Sequence, residues 1–180
     1  MTIGDWLKLG LFFVALIGFF VIVIGGVMRL ETWRAGRGLA AFARALPGTT
    51  AVPATMPGRW KLDELRAQVA GCDVALRPIE LRNAHGPRTI ALELRVRGGA
   101  SPQRGTLQVK DGALLPIGVP APRDAAPLTA ALASSRVTVE LADGAATAGF
   151  AFPLSRANGR RAAALAIALA SYLTDAAPAA

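Results

Sequence analysis

Hydrophobic and polar positions along the chain fall into two regimes. From Leu9 to Met28 no charged or strongly polar side chain occurs. As a helix, such a run spans roughly 30 Å, the thickness of a bilayer's hydrocarbon core. After it the pattern breaks into short periodic pieces. RAGRGLAAFARAL (34–46) reads as a short helix with Leu39, Phe42 and Leu46 on one face; it fits either a helix lying at the membrane surface or an extension of the apolar helix into water. PGTTAVPATMPG (47–58) has the Pro, Gly and Thr content of a semi-extended linker. Trp60 to Gly71 reads as a helix with Leu62, Leu65 and Val69 aligned and Gly71 as its C-cap.

The period then becomes two. Ile90, Leu92, Leu94 and Val96 alternate with polar or small residues through 88–97, the clearest strand of the chain. The stretch 72–82 alternates more loosely, with a bulge or edge at Pro78, and NAHGP (83–87) supplies a turn between the two. A second hairpin is expected from 105–109 and 113–119 around Lys110-Asp111-Gly112. A short helix is expected at 127–134, and a third hairpin from 136–141 and 147–154 around Asp143-Gly144. A helix over 159–173 precedes a disordered tail. The expected fold is a single N-terminal transmembrane helix followed by an α+β, mainly antiparallel and sandwich-like β domain. Its divisions are an anchor at 1–33, an amphipathic segment and Pro-rich linker at 34–58, a soluble domain at 59–175 and a tail at 176–180.

The flanks of the apolar run bear on how it is used. A secretory signal would carry a basic start, a shorter apolar stretch and a small-x-small cleavage site. Here Asp5 precedes the run and Val27-Met28-Arg29-Leu30-Glu31 follows it, so a retained anchor is expected. Trp6 and Lys8 at one end, and Arg29, Trp33, Arg34, Arg37 and Arg44 beyond the other, are the expected membrane-interface residues. Four arginines after the span against Lys8 before it favour a cytoplasmic domain at a bacterial inner membrane. A periplasmic domain is the alternative, since single-anchor proteins often send their domain outward. Gly10, Gly18 and Gly25, spaced 8 and 7 apart, fall near one line of the helix and are the candidate packing stripe for a partner's helix. Glycine's general frequency in such helices is the competing explanation.

Charge and chemistry narrow the remainder. The net charge of +8 is spread along 180 residues without a like-charge block, so the partners expected are integral membrane subunits and anionic lipid rather than nucleic acid. His85 stands alone in a turn, and Cys72 has no second cysteine, so neither a metal site nor a nucleophile is indicated. The carboxylates sit at helix starts, turns and solvent faces of strands. No enzyme activity and no cofactor are expected. LTAALASSRVTVELADG followed by FAFPLSRANGRRAAALA, within 128–173, resembles the C-terminal half of invasion-associated locus B-like domains. That resemblance implies a small β-rich domain of the cell envelope, without catalytic residues to carry over and with a periplasmic location. Members of that family usually carry cysteine pairs and export signals; here there is one cysteine and no small-x-small cleavage site after the apolar run. The functional expectation is a non-catalytic accessory or scaffolding subunit of an inner-membrane complex. The alternative is a membrane-tethered binding module of the envelope.

Overall fold

The computed structural model describes residues 3–53, 63–81, 89–98, 104–151 and 154–175. Helix α1 runs unbroken from Ile3 to Ala45, 43 residues, or about 65 Å. Strands β1 (Thr50–Val52), β2 (Glu64–Val69), β3 (Cys72–Leu81), β4 (Thr89–Arg97), β5 (Gly105–Lys110) and β6 (Ala113–Ile117) follow. Helix α2 (Ala126–Ser135), strands β7 (Val139–Ala142) and β8 (Ala145–Ala151), and helix α3 (Arg156–Asp175) complete the chain.

All eight strands form one antiparallel sheet in the order β1-β2-β3-β4-β8-β7-β5-β6. The sandwich-like expectation is corrected accordingly. The alternating strands bury one face against helices rather than against a second sheet, which makes a two-layer α+β fold. Leu65, Cys72, Val74, Leu76, Leu92, Leu94, Val96, Leu107, Val139 and Phe150 point inward and are buried. Against them lies α3, flanked by α2 and by the C-terminal part of α1. Three two-residue hairpins turn through Ala70-Gly71, Asp111-Gly112 and Asp143-Gly144, with φ positive at both positions of each. That is the type I′ geometry whose twist matches the flanking strands. Pro78 pairs with Leu92 beyond the end of β2, so among the described residues no ladder bond to β2 is forfeited there.

Three sequence expectations change. The helix expected over 60–71 is a strand in its described part: Leu65 and Ala67 are buried while Arg66 and Gln68 are exposed, an alternation of period two. Gly71 is the second residue of a hairpin turn, not a C-cap. The linker's first half is also ordered. Thr49 Oγ1 donates to the Leu46 carbonyl at 2.5 Å, and Thr50–Val52 pairs with β2 as an edge strand, in keeping with the β preference of Thr and Val. Finally, 34–46 continues α1 without a break, and its apolar face is taken by the domain. Phe42 and Leu46 are buried and Leu39 is half-buried.

The junction between α1 and α3 explains the small residues on both. A Cβ at Gly38 would overlap the backbone carbonyl of Leu154, and one at Gly159 would overlap that of Gly38. Only bare backbone allows this approach. Around it α3 presents Ala162, Ala163 and Ala166, all fully buried. The helix starts at Arg156 rather than 159 because Ser155 Oγ accepts from the Asn158 backbone N–H at 3.1 Å, an N-cap bond.

Candidate functional site

Two features stand out: the bare half of α1, and the face of the sheet turned away from the helices. Gly10–Val27 is long and apolar enough to cross a membrane and is not buried by any other described part of the chain. Phe12, Val14, Ile17, Phe19, Ile22 and Ile24 are each more than half exposed. Among the described residues this is the one helix with those properties, and its place near the N-terminus is shared by membrane spans and signal sequences. Gly10, Gly18 and Gly25 have no atom within 4 Å of a built Cβ, so the domain makes no use of the stripe.

The flanking residues sort by height. Trp6 is exposed at the start of the helix, and the side chain of Lys8 lies outside the described set. Arg29, Trp33, Arg34, Arg37 and Arg44 are exposed beyond the other end. The Arg37 guanidinium sits 4.6 Å from the Trp33 ring centroid, a cation–π contact. At about 100° per residue, Arg29, Trp33, Arg37 and Arg44 share one side of α1, away from the face buried by α3. Along the axis Arg44 lies about 22 Å above Arg29, so the two cannot meet the same interface of an upright helix.

On the outer face of β1–β4, alternation puts polar side chains opposite the core. Ladder partners form rows across the strands: Thr50, Arg66, Ala75, Arg95 and Thr147 in one, Gln68, Asp73, Arg97 and Ala145 in the next. The β1–β4 members of these rows and the Pro47-Gly48 turn border a cleft of about 710 Å³, whose charged lining is Arg66, Arg77, Arg95 and Arg97 against Glu64 and Asp73.

Two of the four arginines are matched. Arg66 Nε donates to Glu64 at 2.7 Å, and this bond and charge raise the Arg66 pKa above its ordinary value. Arg77 donates to Glu93 at 2.9 Å from Nε and 2.7 Å from its terminal nitrogen, across the ladder where the two face each other. Asp73 accepts from Gln68 at 3.3 Å. Arg95 differs: its Nε is buried and has no hydrogen-bond partner among the described residues. A buried donor on a charged group without an acceptor is costly, by about 1–3 kcal/mol or more.

The arginine cleft was not singled out from the sequence, where Arg66, Arg77, Arg95 and Arg97 read as ordinary solvent-face residues of amphipathic strands. The available signal was that the cations on this face of β2–β4 are arginine and not lysine. Cys72 is buried, its Sγ 3.7 Å from the Ala170 carbonyl and 3.8 Å from the Thr174 hydroxyl. His85 lies outside the described residues. Among the described residues no three His, Cys, Asp or Glu side chains gather as metal ligands. The chain matches no protein family, no curated protein and no solved structure.

Proposed function

We propose that this chain is a single-pass, non-catalytic accessory subunit of a membrane complex, anchored by the bare half of α1. One observation carries the reading: the same unbroken helix is apolar and unburied over Gly10–Val27 and buried in the domain core at Ala35, Ala41 and Phe42. A free tether would leave the domain's direction open. A helix fused into the core holds the domain in one orientation above the bilayer, as a subunit covering part of a neighbour requires. The glycine stripe at Gly10, Gly18 and Gly25 supports a neighbouring helix in the membrane, since small residues permit close approach. Trp6, Lys8, Arg29, Trp33 and Arg34 would meet the interfaces and anionic lipid. The arginine excess after the span favours a cytoplasmic domain at a bacterial inner membrane.

The test is extraction of native membranes with a mild detergent, followed by native mass spectrometry of the tagged chain. The reading expects resistance to alkaline extraction and a defined complex with integral membrane partners. Release by alkali, or a lone monomer, would refute it. The second reading, a membrane-tethered binding module, draws on the arginine cleft.

A further inference from the structure

We infer that the outer-face cleft of β1–β4 is a binding site for a soluble, phosphate-bearing small molecule, with Arg95 and Arg97 as its principal contacts. The starting point is the unpartnered Nε of Arg95. The acids beside the cleft on β2–β4 are otherwise engaged: Glu64 holds Arg66, Glu93 holds Arg77, and Asp73 accepts from Gln68. Glu140 lies two strands from Arg95 across Thr147, about 10 Å, too far for a hydrogen bond to its Nε. Arg97 faces Asp73 across the ladder, yet no ion pair joins them. An incoming oxyanion is the acceptor this arrangement lacks.

Position and residue type fit the same ligand. Arg95 and Arg97 lie two residues apart on one face of β4, about 7 Å, and Arg66 lies two strands away, about 10 Å, with only the methyl group of Ala75 between. Side chains from β2 and β4 can therefore converge over a small central residue on β3. The lining's cations are all arginine, whose planar fork matches phosphate oxygens, whereas lysine offers a point charge. A tetrahedral dianion can take donors from two guanidiniums at once. The volume of about 710 Å³ lies in the range of sites that hold a whole small molecule rather than a bare ion.

The source is soluble and not a lipid headgroup of the same bilayer. The cleft's border at Pro47-Gly48 follows the end of α1, and the helix rises about 27 Å from Val27 to Ala45, beyond the headgroup layer. This choice of source rests on the anchoring reading; phosphate binding itself does not.

Full-length protein in phosphatidylcholine nanodiscs is titrated calorimetrically with pyrophosphate and with inorganic phosphate, at ionic strength held constant with chloride. Saturable one-site binding is expected. Arg95→Gln and Arg97→Gln should each weaken it by about tenfold or more. Arg95→Lys should also weaken it although the charge is kept, while Arg160→Gln, exposed on α3, should leave it unchanged. Arg97 is exposed, so its variant carries the test should Arg95→Gln lower the melting midpoint. Absence of saturable binding would overturn the inference, as would equal losses in Arg160→Gln or equally tight binding of citrate. Binding only by discs containing phosphatidylglycerol would overturn the soluble source. Retained pyrophosphate binding in detergent, together with release from membranes by alkali, would refute the anchoring reading alone.

Discussion

Gly36 and Gly38 sit two residues apart in the same helix, and alanine at the two positions is expected to act in opposite directions. Glycine in a helix interior costs about 1 kcal/mol relative to alanine. At Gly36, which is exposed and has nothing within 4 Å of a built Cβ, that cost is recovered. Domain stability should rise by about 1 kcal/mol, or roughly 2–4 °C in midpoint for a domain of this size. At Gly38 the new methyl group meets the backbone carbonyl of Leu154, which cannot swing aside as a flexible side chain would. Forcing the helices apart costs about 1–3 kcal/mol, and the contact with main chain favours the upper end. Less the gain in propensity, Gly38→Ala should lose about 1–2 kcal/mol and drop the midpoint by roughly 2–8 °C. The assay is thermal unfolding of the full chain in detergent, followed by the β-sheet circular dichroism signal, because α1's apolar half stays helical in the micelle. If both variants raised the midpoint alike, α1 would not be docked on α3, and the account of a rigid anchor would fail.

Ala70 adopts φ 49° at the first position of a type I′ turn, where a Cβ costs about 1–2 kcal/mol. Ala70→Asn should therefore raise the midpoint by a few degrees, and a drop would contradict the turn geometry. The sole tyrosine, Tyr172, donates to the Pro120 carbonyl at 3.1 Å, and burial pushes its pKa above the ordinary value of 10.0. The unfolded chain then ionises first, so this group's stabilisation is intact below about pH 10 and is lost as pH rises through the folded value. Tyr172→Phe should remove that alkaline decline while losing about 1 kcal/mol at neutral pH; an absorbance titration with an ordinary midpoint in the wild type would refute the burial argument. Gly18→Leu with Gly25→Leu should leave the domain's melting midpoint unchanged yet weaken co-purification of membrane partners, and unaltered co-purification would show that the stripe faces lipid.

How far the fold was legible depended on whether one period dominated. In β4 the alternation of Ile90, Leu92, Leu94 and Val96 admits one reading, and the strand runs where expected. Asp-Gly marked two hairpins because few residue pairs accept positive φ at both positions. ELRAQV failed because Leu65 and Val69 fit a helix face as well as Leu65, Ala67 and Val69 fit a strand face. Its turn, Ala70-Gly71, lacks the Asn or Asp that advertises a type I′ turn. The union of 34–46 with the domain was hidden because the decisive contact is between Gly38 and Gly159, far apart in sequence and without side chains to form a pattern. The arginine cleft stayed hidden for a related reason. Each arginine satisfies the rule that the outer face of a strand is polar, and only cross-strand register brings them around Ala75.

The central claim is that α1 is one rod, lipid-covered in its first half and protein-covered in its second. Single cysteines at Val14, Ile22, Arg34 and Ala41, in a chain carrying Cys72→Ser, separate the two kinds of cover. In the isolated chain Val14 and Ile22 are 71% and 75% exposed while Ala41 is 5% exposed, so any protection of the first two must come from outside the chain, from lipid or from a partner's membrane helix. Membranes opened to admit reagent on both sides are treated with an impermeant maleimide, before and after urea. The account predicts labelling only at position 34 in the native state, and at 34 and 41 in urea, with 14 and 22 protected throughout. Native labelling at 14 and 22, or at 41, would contradict it.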